Sequence, residues 1–352
     1  MRLLEHEAKT ILRAQGLEVP SGILVRQPAE IAQAPLSIPL PAMVKAQVPA
    51  GGRGNAGAVV RVEEAQAARD AVTRLLGTRV RGHRVEAVLL EAVIPIRQEL
   101  FLGVTYDTVE KQAMLLASPA GGMDVESRTR QFPPALVRLP VDVRRGLPGF
   151  EAREVARQVG LTGRELLGFA EVADRAVEAF LALDCTVLEI NPLALTDGGR
   201  FVVADARLEI DEDALYRQNH LEKVYGIPCR GAWGRGPTDF QRRAAAVDAI
   251  DHRGVAGRVI EFDGDLGLPM GGGGASLTAF DAIRRHAGRP PNYCEIGGNP
   301  SVRKVAELTK LILSRPGVER VAVIMNVVSN TRVDLVARGV IKGVVEAGER
   351  KG

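Results

Sequence analysis

The sequence predicts an α/β protein in two parts, and three observations carry that reading. From Arg258 onward short apolar runs alternate with amphipathic helical stretches, the pattern of a parallel sheet with helical crossovers. Earlier, residues 99–106 with 112–117, and 187–195 with 201–204, read as antiparallel strands joined by short turns. A chain of 352 residues also exceeds one average domain, so two or three are expected.

Taken in order, residues 3–15 carry Leu4, Ala8, Ile11 and Leu12 at helical spacing, with Gly16 as a stop. Val19-Pro20 leads into a short strand at 22–25. After a Pro-rich connection, Ala42-Met-Val-Lys-Ala-Gln-Val48 reads as a buried strand carrying one lysine, Lys45. Such an ammonium needs a charge partner or a ligand, because burying it alone is costly. The next segment holds Gly51, Gly52, Arg53, Gly54 and Gly57. Glycines let a backbone approach a ligand closely and turn its N–H groups toward an anion. Strand lysine, Gly-rich loop and arginine make a phosphate-binding set in physical terms, although the segment is neither a Walker A loop nor a Rossmann fingerprint.

Residues 63–76 form an amphipathic helix, and 85–91 a strand. Its end, Glu91-Ala-Val-Ile94, suits a hinge where an adenine lies between two lobes. The stretch 118–126 reads as a loop ending in the acidic Asp124 and Glu126, and 128–149 as Pro-rich and irregular. Helices follow at 151–160 and 164–183; Leu166, Phe169, Val172, Ala176 and Phe180 share one face of the second and read as core.

Residues 187–207 then form a hairpin around the turn Thr196-Asp-Gly-Gly199. Its apolar strands are interrupted by Glu189, Asn191, Asp205 and Arg207. Pairing across the turn would bring Asn191 close to Asp205, an amide oxygen beside a carboxylate. Those are hard oxygen ligands of the kind Mg²⁺ takes alongside nucleotide phosphates. The plainer reading is a half-solvated hairpin with polar residues outward; the company of carboxylate, amide and carboxylate favours a site.

A polar stretch at 226–257, rich in Gly and Pro at its start and holding a helix at 239–250, reads as the domain linker. Beyond it come a strand at 259–262, a Gly-rich loop at 264–274, a helix at 275–286, a strand at 293–296, a helix at 300–314, a strand at 318–328 and a helix at 331–349. Ligands of such sheets sit at the carboxyl ends of the strands. The loops there are 263–274, 297–299 and 329–331, and the helix N-termini behind them suit phosphate or carboxylate.

Composition narrows the function classes. A hydrophobic content of 46% with 25% charged residues is that of an ordinary soluble globular chain, and aromatics at 4% leave the cores to aliphatic residues. A net charge of +3, from 46 basic and 43 acidic residues, implies no polyanion, and no basic stripe interleaved with aromatics marks a nucleic-acid partner. Cys185, Cys229 and Cys294 lie far apart without metal spacing, so neither a disulfide framework nor a zinc site is expected. With no signal peptide and no membrane-length apolar run, a cytoplasmic location is expected.

The opening Leu4-Glu-His-Glu-Ala-Lys-Thr-Ile-Leu, the Val44-Lys-Ala-Gln-Val segment with Gly51-Gly-Arg-Gly54, and Leu188-Glu-Ile-Asn-Pro-Leu resemble the β subunit of succinyl-CoA synthetase, an ATP-grasp family. Asp205-Ala-Arg, Asp213-Ala-Leu-Tyr-Arg and the flavodoxin-like character of the C-terminal region add to the resemblance. It covers essentially the whole chain. It implies an ATP-grasp domain of two α+β lobes at 1–225, the linker at 226–257 and a flavodoxin-like CoA-ligase domain at 258–352. That second domain is expected to be shortened, since the family adds further β/α units beyond the helix that ends near Glu349.

By resemblance, Lys45, Gly52, Arg53 and Gly54 would hold the phosphates of ATP or GTP. Glu91, Ile94 and Glu99 would face the adenine and ribose, and Asn191 and Asp205 would carry Mg²⁺. Glu189 would support a phosphorylated histidine when it swings in from an α subunit, which also binds most of the CoA. The implied chemistry turns ATP, a small carboxylic acid and CoA into acyl-CoA, ADP and phosphate through acyl phosphate and phosphohistidine. Asp265, Ser329, Asn330 and Thr331 stand where the family holds its carboxylate, in altered segments, Asp263-Gly-Asp265 and Asn326-Val-Val-Ser-Asn-Thr331. Malate, citrate or another acid is therefore an alternative substrate, and a stand-alone ATP-grasp ligase or a non-catalytic regulatory subunit are alternative roles.

Overall fold

The buried strand that carries Lys45 pairs on both sides, and that pairing organises the first half of the molecule. A computed structural model describes residues 1–32, 37–122, 136–228 and 238–349 and divides the chain into two units, Met1–Gly236 and Pro237–Gly352.

The first unit opens with helix α1 (Glu5–Ala14), whose first turn is capped where the Leu4 N–H donates to the Glu7 carboxylate at 2.8 Å. There follow β1 (Gly22–Val25), α2 (Ala29–Ala32), β2 (Ala42–Ala46), β3 (Val59–Val62), α3 (Ala65–Leu75), the small hairpin β4 (Arg79–Val80) and β5 (His83–Arg84), and β6 (Val88–Ala92). Four of these strands form an antiparallel sheet in the order β1-β6-β2-β3. Helix α3 covers it, because Ala68, Ala71, Val72 and Leu75 fall on one helical face and pack with Val44, Val62 and Leu90.

A larger sheet follows from β7 (Ile96–Asp107), β8 (Gln112–Ser118), β9 (Val137–Val141), β10 (Cys185–Thr196), β11 (Phe201–Val203) and β12 (Ala206–Ile210). Its order is β11-β10-β7-β8-β9, with β12 also paired to β10 and every pair antiparallel. Helices α4 (Gly149–Gln158) and α5 (Gly163–Ala182) bury their apolar faces in the same core. Phe169 and Phe180 of α5 are fully buried there, as their spacing predicts.

Residues 128–149 hold a strand where an irregular segment was expected. Pro140 sits within β9 opposite Met114, and β9 is the edge of its sheet, where a residue without an N–H leaves no ladder bond broken. Asp124 and Glu126 lie outside the described residues, as do Cys229 and the Gly-rich start of the linker at 229–237. The unit closes with a 3-10 turn (Glu212–Arg217) and helix α6 (His220–Tyr225).

The second unit begins with α7 (Asp239–Asp248), β13 (Val259–Glu261), β14 (Leu266–Gly267) and β15 (Pro269–Gly271). Next come α8 (Gly274–Arg285), β16 (Asn292–Glu295), α9 (Val302–Leu313), β17 (Arg320–Val321), β18 (Ile324–Met325) and α10 (Val333–Glu349). One sheet has the order β13-β16-β15-β18, and β14 pairs with β17.

Three expectations are corrected here. The sheet is mixed rather than parallel, since β13 runs antiparallel to β16 while β15 is parallel to both β16 and β18. The Gly-rich stretch 264–274 contains two short strands, because Leu268 and Met270 are fully buried and anchor the backbone between its glycines. The run read as one strand at 318–328 is likewise two separate pieces.

Candidate active site

Helical periodicity places Glu5 and Lys9 one turn apart on α1, on a face that turns toward the Lys45 strand. The two residues meet Lys45, Arg53, Glu91 and Asp205 in a single ionic cluster. Lys9 Nζ donates to both Glu91 oxygens at 2.6 and 2.8 Å and stands 2.8 Å from Glu5 Oε1. Lys45 Nζ donates to Glu5 Oε1 at 2.9 Å and stands 2.8 Å from Glu91 Oε2. Both ammonium groups also donate to the Ala204 carbonyl at 2.8 Å. Arg53 Nη1 lies 2.6 Å from Glu5 Oε2, while Nη2 donates to both Asp205 oxygens at 2.8 and 2.9 Å. Three cations thus face three carboxylates, and the cluster is neutral as a whole.

Burial makes those contacts consequential. The side chains of Glu5, Glu91 and Lys9 are 1%, 3% and 5% exposed, so water screens them little. Burial by itself would push the Glu5 carboxyl up, but the charges of Lys45, Lys9 and Arg53 hold it well below the ordinary carboxylate range. Burial likewise works to lower Lys45 and Arg53, and Glu5 with Glu91, or Glu5 with Asp205, outweighs it and raises them. Both stay charged at neutral pH. Asp205 is the accessible member, with its side chain 39% exposed on the open side. Desolvation by the protein packed behind it, and then repulsion from Glu5, push its carboxyl up against the pull of Arg53, Lys45 and Lys9.

The Gly-rich loop does its part through its backbone. Gly52 has a φ of +66°, a left-handed conformation that glycine adopts without strain, and it turns the chain so that Arg53 points back into the cluster. Arg53 is tied there by Nη1 donating to the Ala46 carbonyl at 3.2 Å. The turn is closed where the Gly57 N–H donates to Gly54 O at 3.0 Å.

Across the hairpin, the Asn191 N–H donates to the Asp205 carbonyl at 3.1 Å, which brings the two expected metal ligands to paired positions. Asn191 Oδ1 accepts from the Gly122 N–H at 2.6 Å, and its Nδ2 faces Glu189 Oε1 at 3.4 Å. Glu189 also lies 3.7 Å from Arg207. No group of three or more His, Cys, Asp or Glu side chains with metal-ligand geometry occurs among the described residues. An ion at Asn191 and Asp205 would therefore complete its shell from phosphate oxygens and water, the usual habit of Mg²⁺. The donor set fits that ion.

Of the residues expected around the base, Glu91 is buried in the cluster with both oxygens committed to lysines. Ile94 is half-buried just past β6, and Glu99 is exposed on β7. Glu5 and Lys9 were not foreseen as site residues. Their signal was an i,i+4 acid–base pair on a helix, which usually marks a solvated face.

In the second unit the structure does not bring Asp265 to Ser329, Asn330 and Thr331. Asp265 precedes β14 and stands 3.7 Å from Arg320 at the start of the parallel strand β17. The 329–331 loop follows the opposite, carboxyl end of β18. There the Thr331 hydroxyl accepts from the Asn299 N–H at 3.4 Å. Glu295, also unforeseen, ends β16 and accepts from the Gly272 and Gly273 N–H groups at 2.9 and 2.6 Å, from Ser276 at 2.7 Å and from Tyr293 at 2.8 Å. Burial would raise its carboxyl, but those four donors lower it. The amides ahead of α8 that could take an anion are thus satisfied from within the chain.

A sequence model of the ATP-grasp domain matches residues 2–195. The chain is 32% identical over 352 residues to the protein named succinate–CoA ligase [ADP-forming] subunit beta of Ignicoccus hospitalis, covering 100% of this chain and 89% of that one. It is 34% identical over 355 residues to the protein of the same name from Thioalkalivibrio sulfidiphilus, covering 98% and 88%. Among solved structures, ATP citrate lyase from Methanothrix soehngenii superposes with a TM-score of 0.77 over 99% of this chain and 86% of that one, at 19% identity, a likeness of fold.

Proposed function

This chain belongs to the ATP-grasp family of ADP-forming succinate–CoA ligase β subunits, and from that premise we propose that it is the nucleotide-handling subunit of an NDP-forming carboxylate–CoA ligase. The reaction joins a small carboxylic acid to CoA at the expense of ATP, through an acyl phosphate and a phosphohistidine carried by a partner α subunit. The observation that carries this reading is the pairing of Arg53 with Asp205, across from Asn191, at the accessible edge of a buried ionic cluster in which Lys45 shares Glu5 with Arg53.

In this reading Lys45 and Arg53 face the nucleotide phosphates, and the Gly52–Gly54 backbone lets those phosphates approach. Asn191 and Asp205 would hold Mg²⁺, which when bound would neutralise phosphate charge. Asp205 serves that role by giving up its two bonds to Arg53, which frees the guanidinium for a phosphate oxygen. The exchange keeps every charge paired before and after, so entry of the nucleotide leaves no buried charge alone. Placement of fixed positive charge around the transferring group is the main catalytic contribution such a site makes. Glu189, beside Asn191 and Arg207, would orient the incoming histidine. The 1–225 region is the ATP-grasp domain, and the acid is met by the second domain, at the carboxyl-end loops around Asn299 and Thr331. No helix among the described residues is long and apolar enough to cross a membrane, and we place the enzyme in the cytoplasm.

The test is direct. The full chain should bind MgATP by calorimetry. Assembled with its partner subunit, it should form ADP from ATP and CoA when given one of a panel of succinate, malate and citrate. Absence of both nucleotide binding and ADP formation would remove the proposal. Turnover by this chain alone, without CoA or partner, would favour a stand-alone ligase.

A further inference from the structure

We infer that Glu5, at the start of α1, is a positioning residue for phosphoryl transfer: it is the pivot that holds Lys45 and Arg53 in register while Arg53 exchanges Asp205 for phosphate. The inference rests on the nucleotide-handling role above and adds a residue to which no role in that reaction has been given. Glu5 is the only carboxylate in the cluster that touches all three cations, through Oε1 to Lys9 and Lys45 and through Oε2 to Arg53. Its side chain is 1% exposed, so it cannot itself meet a nucleotide.

The two sides of Arg53 differ in kind. Toward Asp205 it makes two hydrogen bonds at the accessible edge. On its interior side Nη1 stands 2.6 Å from Glu5 Oε2 and donates to the Ala46 carbonyl at 3.2 Å. The interior contacts run through Nη1 and the outer ones through Nη2, so different nitrogens of the planar guanidinium serve the two sides. Nη2 can therefore exchange Asp205 for another oxygen while Nη1 stays on Glu5. Lys45 shares the other oxygen of the same carboxylate, which sets the spacing of the two phosphate-facing cations through one rigid group. Lys9, in turn, ties Glu5 to Glu91 and keeps the carboxylate from following Arg53 outward.

Charge counting separates this role from a merely structural one. Glu5→Gln removes one negative charge behind two cations that face phosphate, so attraction for the nucleotide is kept or increased while its alignment is lost. The experiment measures MgATP affinity of the full chain by calorimetry, and turnover of the enzyme assembled with its partner subunit, for Glu5→Gln, Glu5→Asp and the double variant Glu5→Gln/Lys9→Met. In folded Glu5→Gln, kcat should fall by roughly 10²-fold, as when one preorganised group is lost from a transition-state site. The Kd for MgATP should stay within about twofold of wild type or become smaller, one charge interaction being worth up to roughly tenfold. Glu5→Asp keeps the charge but shortens its reach, and should show the same split with a smaller fall in kcat. The double variant is again neutral and should return Kd to the wild-type value without restoring kcat.

Unchanged kcat in folded Glu5→Gln, or a weakened Kd with kcat intact, would overturn the inference. If Glu5→Gln does not fold, Glu5→Asp decides, and wild-type turnover in that variant would overturn it equally. A wild-type chain that fails to bind MgATP would instead strike at the nucleotide-handling role itself.

Discussion

Removing the Lys9 ammonium should cost this protein more than any surface ion pair could. Lys9 Nζ is surrounded by both oxygens of Glu91 at 2.6 and 2.8 Å, Glu5 Oε1 at 2.8 Å and the Ala204 carbonyl at 2.8 Å. Its side chain is 5% exposed and that of Glu91 3%, so water cannot take its place cheaply. Lys9→Met keeps the length and fills the space, but leaves three carboxylates against two cations. Breaking a buried pair by deleting one partner costs roughly 3–5 kcal/mol, because the remaining charge stays desolvated. For a unit of this size each kcal/mol moves the melting temperature by about 2–4 °C. The expected fall is therefore roughly 6–20 °C. Thermal unfolding followed by circular dichroism at pH 7 measures it, with Arg157→Met, an exposed i,i+3 partner of Glu154, as the control that should melt with the wild type. Adding Glu91→Gln to Lys9→Met should recover part of the loss, since the uncompensated charge goes with it. A Lys9→Met protein that melts within about 2 °C of wild type would refute the claim that these charges are desolvated and mutually dependent.

Other consequences follow from the same geometry. Asp205→Asn should cut ADP formation by roughly 10²-fold while leaving the circular dichroism spectrum unchanged, and full activity in that variant would remove Asp205 from the metal and phosphate site. Because the Glu5 carboxyl is held well below its ordinary value near 4.5, its stabilisation is complete above that pH and is lost as the pH falls through and below it. Melting temperature against pH from 7 to 3 should drop more steeply for wild type than for Glu5→Gln. At Gly122, whose φ is +87°, an added Cβ would come 2.4 Å from Glu99 Oε2, so Gly122→Ala should disturb the N–H that holds Asn191. A higher Mg²⁺ requirement for turnover reports it. Cys185 and Cys294 are buried with their thiols pushed up to about 12, so peptide mapping after alkylation at pH 8 should find both unlabelled until the chain unfolds.

What the sequence by itself determined was local. Periodicity sufficed for α1, α3, α5 and the hairpin strands, because an amphipathic helix or a turn-linked strand pair is decided by residues a few positions apart. It sufficed also for the meeting of Asn191 with Asp205 across one turn, and it singled out Lys45 and Arg53, which the structure brings together on Glu5.

Only the tertiary structure decided the rest. Glu5 and Lys9 look like a solvated pair until the helix is docked against β2 and β6, 40 and 82 residues away from their partners, where desolvation changes what their charges do. Strand direction in the second unit was equally out of reach. Whether β13 runs with or against β16 depends on pairing between segments more than 30 residues apart, and the place of Asp265 depends on the separate pairing of β14 with the distant β17. The strand at 137–141 shows the same limit: Pro140 argues against a strand locally and is harmless on an edge, and being an edge is a property of the sheet.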